Sequence, residues 1–479
     1  MNDFEALKLQ SVFKYFEEIS AVPRGSGDMD KISLYCVNFA KQNGLIYIVD
    51  DAKNVVIFKD ASKGYEKKEP VILQGHLDMV CQKEENKDID FEKDGIEIIK
   101  DGDFLKANGT TLGADNGIAV AMILAILEDD TISHPPIEAV FTTDEEIGMI
   151  GASKLDVSAL KSKRMINLDA EEGDTVTVSC AGGSDIKVSL PVSRKNVNGT
   201  KVCVSVKGLK GGHSGVEIDK GRVNASQLMG RILNHIKELD FDIISVNGGT
   251  KANAIPVSCT LELVAQNEEK LVDALHGYFS IIKEELKDRE KNIILEVNVE
   301  NSGNFDVFDK TAREKLCYML LTVPNGVIDM SKSIDGLVET SLNLGILETK
   351  ADSVLFHHAL RSNKKTALDF LEDKMMYFAQ YNGAIAKKSG RYEPWEYREN
   401  SKLREIYVEE FEKMTGVQPK VEAIHAGLEC AVFSNAIKDL DCIAIGPDMW
   451  GVHTTEEKLS ISSVRQTYEL ICRILESLN

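Results

Sequence analysis

One segment, VILQGHLDMV at residues 71–80, limits what this chain can fold into more than any other. An apolar run of β-branched and aliphatic residues leads into Gly75, His76, Leu77 and Asp78, so a buried strand delivers two polar side chains at its carboxyl end. Side chains alternate along a strand, which places His76 and Asp78 on one face. Two readings follow. The imidazole is either a metal ligand with a carboxylate beside it to orient it, or a core histidine satisfied by a hydrogen bond at the strand end. What the rest of the chain brings alongside decides between them.

Four further segments carry similar chemistry. In NGTTLGADNGIAVAMILAILED, glycine-rich polar sequence gives way at Asp115 to a helix that is apolar on nearly every side from Ile118 to Leu127. Such a helix is buried, and a carboxylate in its first turn sits at the positive end of the helix dipole. The plainer alternative for Asp115 is an N-cap. Pro135 and Pro136 introduce IEAVFTTDEEIG, a β-rich run closing on Asp144, Glu145 and Glu146. Adjacent glutamates are often only a solvated surface, but at a strand end a turn lets both line one cleft. RMINLDAEEGDTV is another apolar strand, ending in Asp169, and GVHTTEEKLSI supplies a loop histidine, His453. Polar groups gathered at strand carboxyl ends fit the crevice rule for open α/β sheets.

At 479 residues the chain exceeds what one hydrophobic core supports, so two domains are expected. Helices are expected over 5–20, with Leu7, Val12, Phe13, Phe16 and Ile19 near helical spacing, and over 31–43. Strands are expected over 45–50, 54–58 and 71–78, followed by a charged surface excursion over 84–103. From about residue 184 the order becomes strand, helix, strand, strand, helix, then a second similar set, which suggests two α+β units. After GRYEPWEY an α/β pattern returns. The expected fold class is therefore α/β, with a discontinuous catalytic domain, residues 1–183 and 391–479, and an inserted α+β lid domain, residues 184–390.

Composition excludes several functions. The formal net charge of -21 argues against a nucleic-acid binder, which needs a concentrated basic face. Nine cysteines without a CxxC pair fit reduced thiols better than a disulfide frame. The N-terminal segment carries acids where a secretory signal carries bases, and no apolar run reaches membrane-spanning length. A cytoplasmic protein with no membrane partner is expected.

Two imidazoles and three carboxylates suffice for a two-metal site in which one carboxylate bridges. Mixed nitrogen and oxygen donors favour zinc, with cobalt or manganese as substitutes. The series HxD, GADNG, DEE, LDAEE and VHT, together with AVPRGSG near the start and HAGLEC at 425–430, resembles the aminoacyl-histidine dipeptidases. These Xaa-His dipeptidases of PepD type lie within the aminoacylase and carboxypeptidase-G-like metallopeptidases, and the similarity covers essentially the whole chain. The resemblance implies that His76 and Asp169 bind one divalent ion and Glu146 and His453 a second, with Asp115 bridging. It implies that Asp78 orients His76 and that Glu145 is the general base. In the lid it implies substrate contacts from His213 of KGLKGGHSG, Asn253, Arg361 and Gly427, where Arg361 suits a bidentate grip on a peptide's terminal carboxylate; the alternative for Arg361 is a surface arginine.

His357 and His358 alternate across a strand, so at most one faces the cleft, and neither is assigned a role; His134, His235 and His276 read as surface or core residues. A lid of doubled length can replace a partner subunit, so a homodimer is expected to be compatible with catalysis but not required. The expected activity is hydrolysis of Xaa-His and related short peptides. The alternatives are an N-acyl amino acid deacylase or broader di- or tripeptidase using the same site, and a non-catalytic binding protein of this fold.

Overall fold

A computed structural model describes residues 3–478, with side chains from Leu9 onward, so the expected packing of Leu7 lies outside the described residues. The chain divides into two compact units. Met1–Cys180, Tyr397–Ala423 and Leu428–Asn479 form one, and Ala181–Glu396 with Ile424–Gly427 form the other. The cuts expected from composition, after residues 183 and 390, fall inside the strands Gly182–Pro191 and Ile385–Tyr392.

The apolar run before His76 forms the strand Val71–His76 within an eight-stranded sheet. The strand order is Ile46–Val49, Val55–Lys59, Ile137–Thr142, Val71–His76, Arg164–Asn167, Asp441–Ala444, Thr175–Cys180 and Lys420–Ile424. Val71–His76 runs parallel to both neighbours, pairing His76 with Thr142 on one side and Gln74 with Asn167 on the other. Asp441–Ala444 extends this parallel core. Every residue of Val71–His76 and Ile137–Thr142 is buried, as a near-continuous apolar sequence requires when both sheet faces are covered. Parallel strands present their carboxyl ends at one edge. His76 ends the first, Asp144, Glu145 and Glu146 follow the second, and Asp169 follows the third.

The helix Ala114–Glu128 is buried at Ala114 and from Asn116 through Leu127, and it packs on the helix Asp3–Ser20 and on the strand Val71–His76. Each fully buried leucine or isoleucine here is worth about 1.5–3 kcal/mol relative to exposure. Asp115 and Asn116 depart from helical dihedrals, so the regular helix begins just after the turn that carries Asp115. The expected excursion at 84–103 contains more order than its charge suggests. Ile98–Asp101 and Phe104–Ala107 form a hairpin that continues into Lys458–Ser460 and Met449–Trp450. None of its eight hairpin residues is buried, and IIKD and FLKA show no alternation of apolar and polar residues by which a strand is read from sequence.

The second unit is an α+β layer built on one sheet. Its order is Ile294–Phe308, Arg194–Lys207, Cys259–Ala265, Phe241–Gly248, Val338–Thr349, Ser353–Ser362, Gly182–Pro191 and Ile385–Tyr392, with Gly326–Met330 paired to Val338–Thr349. The two α+β halves meet at a single register pair, Gly248 with Leu347. The helix Ala225–Ile236 buries Ala225, Leu228, Met229, Ile232, Leu233 and Ile236, the stripe expected of a helix lying on a sheet. Four strands of this sheet fall outside the sequence expectations: Phe241–Gly248, Gly182–Pro191, Gly326–Met330 and the mostly exposed edge Ile385–Tyr392.

Strand and helix approach closely at Gly75. A Cβ there would lie 2.5 Å from Asn116 Oδ1 and 3.1 Å from Ala119 Cβ. Asn116 is not free to move aside, because it accepts from His76 N at 3.1 Å and donates to Leu168 O at 2.8 Å. Gly75→Ala is expected to cost about 1–3 kcal/mol, as overpacking does. Urea unfolding checks this: the midpoint falls while the slope is unchanged. A wild-type midpoint would mean that the helix shifts without cost.

Candidate metal centre

The parallel edge, the start of the Ala114–Glu128 helix and the loop that carries His453 bring five side chains together. His76 Nε2 lies 3.1 Å from Asp115 Oδ1 and 3.4 Å from Asp169 Oδ1. His453 Nε2 lies 3.0 Å from Asp115 Oδ2 and 2.8 Å from Glu146 Oε1. Each oxygen of Asp115 therefore faces a different imidazole. His76, Asp115 and Glu146 each offer a ligand atom, and these atoms all lie within 4.8 Å of one another. The donors are two imidazole nitrogens and three carboxylates, converging from separate segments and free of thiolates, a set suited to divalent ions of the zinc, cobalt or manganese type. The residues present thus fit two cations sharing one carboxylate.

Asp78 is fully buried and organises the strand ends. It lies 3.4 Å from His76 Nδ1, accepts from Ser26 Oγ at 2.8 Å, and accepts from the backbone N–H groups of Glu145 at 3.0 Å and Glu146 at 3.2 Å. It therefore sets the His76 ring and the turn that carries both glutamates. Asp144 accepts from Gly27 N at 2.7 Å. The AVPRGSG segment is thereby explained in physical terms: Ser26 and Gly27 bind the two carboxylates that shape the strand ends.

Protons stand in where cations would bind. Burial opposes charge on His76, but Asp169, Asp115 and Asp78 outweigh it and hold the imidazole pKa well above its ordinary value. Hydrogen bonds to Asp115 and Glu146 raise His453 to about 10. Burial works against ionised Asp115, but both imidazoles hold it well below the carboxylate range. Burial raises Asp169 to about 6, with Asp115 and Glu146 adding repulsion. Glu145 is held well above its usual value, first by burial, then by negative neighbours that include Asp169, Glu429 and Glu146. A carboxyl that carries its proton until positive charge enters the site is suited to proton exchange there.

The N-cap alternative for Asp115 is not what the structure shows. The N-cap is Gly113, and the backbone N–H groups of Leu112, Gly113, Ala114 and Asp115 all point at the Glu457 carboxylate. Beneath the strand ends lies a second buried group outside the sequence expectations, Glu429 of HAGLEC. Its Oε2 accepts from Gln74 Nε2 at 2.5 Å and Thr142 Oγ1 at 2.6 Å, and Asn167 Nδ2 donates to Gln74 Oε1 at 2.6 Å. This network links three adjacent parallel strands one step below the ligands. A polar residue inside an apolar strand, as Gln74 is, was the available signal; no spacing rule connects it to residue 429.

In the second unit, Asn253, Arg361, Tyr392 and Asp185 line one pocket of about 280 Å³. Arg361 donates to Tyr392 Oη at 3.2 Å, and its Nε is buried without a partner, so it is not a solvated surface arginine. His213 accepts from Gly215 N at 3.2 Å and Val216 N at 3.3 Å, both on Nδ1. Burial and Arg361 lower its pKa, so the ring is neutral with its proton on Nε2. Gly427 follows His425, whose ring is pinned by Ser341 Oγ at 2.7 Å and Asn363 Oδ1 at 3.2 Å. His425 is thus structural. His357 lies 3.3 Å from Asp185, on the face of the strand that carries Arg361, whereas His358 is buried in the core row with Phe356 and Leu360. His134 is buried and hydrogen-bonded to Pro135 O, and His235 stacks on Tyr278.

Three comparisons bear on this geometry. The model for peptidase family M20/M25/M40 matches residues 72–477. The chain is 36% identical over 483 residues to the cytosol non-specific dipeptidase of Escherichia coli (strain K12), covering 100% of this chain and 99% of that protein. The solved aminoacylhistidine dipeptidase from Vibrio alginolyticus superposes with a TM-score of 0.90 at 35% identity, covering 98% of this chain and 96% of the other. Aminopeptidase PepT from Bacillus cereus shares the fold, with a TM-score of 0.57 at 16% identity over 98% of both chains.

Burial raises Glu429 to about 8 from 4.5, so the folded chain holds a proton that the unfolded chain releases. The sign follows from linkage. Stability contributed by this group is complete below pH 4.5 and is lost as pH rises towards about 8. Glu429→Gln, which cannot ionise, is expected to flatten that decline. Chemical unfolding of chelator-treated protein across this range checks it, and an unchanged pH slope would show that Glu429 is already ionised.

Proposed function

The chain belongs to peptidase family M20/M25/M40, and we propose that it is a dipeptidase that uses two divalent cations to hydrolyse short peptides. The observation that carries this reading is Asp115, with one carboxylate oxygen at 3.1 Å from His76 and the other at 3.0 Å from His453. His76 and Asp169 would hold one ion and Glu146 and His453 the other, with Asp115 shared. When bound, such ions lower the pKa of water towards neutrality and polarise the scissile carbonyl. Zinc suits the donor set, and cobalt or manganese can replace it.

The chain's own residues do the rest. Asp78 fixes the His76 ring and, through the backbone N–H groups of Glu145 and Glu146, the turn on which the base stands. Glu145 takes a proton from the attacking water and returns it to the leaving amine. His213, neutral with its Nε2 proton free to donate, is assigned the carbonyl oxygen and the charge that develops on it. Arg361 grips the terminal carboxylate of the peptide, with Tyr392 bracing its guanidinium. Asn253 and Gly427 are assigned to the peptide backbone.

Substrate breadth is the finer part of the proposal. One relative bears the name of a non-specific dipeptidase and another that of an aminoacylhistidine dipeptidase, so we assign dipeptides with a free carboxyl terminus, Xaa-His among them. No helix among the described residues is long and apolar enough to cross a membrane. None of the nine cysteines forms a disulfide, and together with the relative's name this supports a cytosolic location. A homodimer is compatible with this reading and is not required for turnover.

A panel containing β-Ala-His, Ala-His, Ala-Ala and N-acetyl amino acids tests the function. Dipeptides are expected to be cleaved, with activity lost on chelation and restored by zinc, cobalt or manganese. Cleavage of the acetylated compounds alone would convert the reading to a deacylase, and a metal-loaded protein inactive on every member would favour a binding protein. The roles of the two acids separate under substitution. Glu145→Ala is expected to retain both metals and lose at least 100-fold in kcat, the low end of general-base contributions. Asp115→Ala is expected to lose metal as well as turnover. Metal content by mass spectrometry, measured beside kcat, distinguishes them, and near-normal turnover by the Glu145 variant would remove it from the base role.

A further inference from the structure

We propose that Arg24 and Glu457 form a buried charge clamp that positions Asp115 by gripping the loop Leu112–Asp115 from two sides. The proposal rests on the reading of Asp115 as a shared metal ligand. Both residues are 2% exposed. Glu457 Oε2 accepts from Leu112 N at 2.7 Å and Gly113 N at 3.0 Å, and Oε1 accepts from Ala114 N at 2.8 Å and Asp115 N at 3.4 Å. Arg24 Nη1 donates to Leu77 O and Asp78 O, each at 3.2 Å, and Nη2 donates to Gly113 O. Gly113 is therefore held at its N–H by the acid and at its carbonyl by the base.

The position accepts only glycine. Its φ is +67°, and a Cβ would stand 2.5 Å from Arg24 Nη2 and 2.6 Å from Met79 Sδ. Opposite charges on either side of one loop compensate each other, since isolated buried ions are expensive. A neutral cap would satisfy the same amides at a lower desolvation cost, so capping alone does not account for two buried charges.

Three ligand-bearing segments meet in this clamp. Arg24 binds the carbonyls of Leu77 and Asp78, directly after His76. Both residues bind the loop that ends in Asp115. Glu457 is tied to the segment that carries His453 by two consecutive turns, Thr454 N donating to Gly451 O at 3.1 Å and Glu457 N to Thr454 O at 3.2 Å. Arg24 and Glu457 touch neither the reacting atoms nor the ions, so they are positioning residues.

The test uses the full chain with Glu457→Gln, Arg24→Met and the double variant. Arg24→Lys replaces Arg24→Met should that variant fail to fold. Cobalt affinity is read by chelator competition, with the visible spectrum of the cobalt-loaded protein as a direct report on ligand geometry. Each single variant is expected to bind cobalt about 10–100-fold more weakly, as substitutions supporting metal ligands do. The double variant is expected to lose less than the product of the two single losses, because no buried charge is left alone. Wild-type cobalt affinity and spectrum in folded single variants that lose only thermal stability would overturn the clamp and leave a helix cap. Should the wild-type protein take up no cobalt, the metal reading itself fails. Amide exchange at residues 112–115 of the metal-free protein then decides the clamp: acceleration by Glu457→Gln supports it, and unchanged exchange overturns it.

Discussion

One carboxylate faced by two imidazoles governs the catalytic unit, because it requires negative charge to be concentrated where water is scarce. Asp115 sits among Asp78, Asp169, Glu145 and Glu146, and like charges about 4 Å apart repel by roughly 4 kcal/mol at an effective dielectric of 20. Without ions the chain offsets this with protons. His453 is raised to about 10 and Asp169 to about 6, while Glu145 is held well above its usual value. Divalent ions would replace those protons with more positive charge, so metal affinity and proton affinity are two expressions of one electrostatic demand.

That demand explains why the site stands on parallel strands rather than on loops alone. Buried strands place His76 and the turns after Thr142 and Asn167 at a common edge with backbone positions set by sheet register. The close approach at Gly75 lets Asn116 bind His76 N, so the helix that carries Asp115 is registered against the strand that carries His76. Beneath, Glu429 joins Gln74 and Thr142. Ligand positions are thus determined by backbone pairing and by a buried polar layer, not by side-chain rotamers alone.

The side chains proposed as ligands were readable because most of them border an apolar run that is visible in the sequence, His453 in its loop being the exception. His76 and Asp169 follow buried strands, and Asp115 opens a helix with no polar face. Residues that act through backbone contacts were not readable. Nothing in VHTTEE distinguishes Glu456 from Glu457, yet only the second is buried, and its partners lie about 340 positions earlier. The hairpin at 98–107 and the edge strand Ile385–Tyr392 were obscured by exposure, since a strand with no buried face carries no apolar alternation. Phe241–Gly248 was missed for a different reason: it alternates, but lies directly after a helix whose end the charged sequence blurs.

On the proposed reading, the second unit answers a different physical problem, recognition of a ligand with charged ends. Its pocket arises from cross-strand neighbours: Arg361 opposite Gly183, Asp185 opposite Ala359, and Tyr392 opposite Gly183 on the other side. Gly183 leaves the space, for a Cβ there would strike the Tyr392 ring at 2.6 Å. His213 is kept neutral by burial and by the positive charge of Arg361. An imidazolium at that position would attract a peptide carboxylate as strongly as a developing oxyanion, and binding spent on the ground state does not raise turnover. A neutral N–H donor gains most when charge accumulates on the carbonyl oxygen. On the proposed reading, Arg361 would supply the ground-state grip and the neutral His213 the transition-state stabilisation.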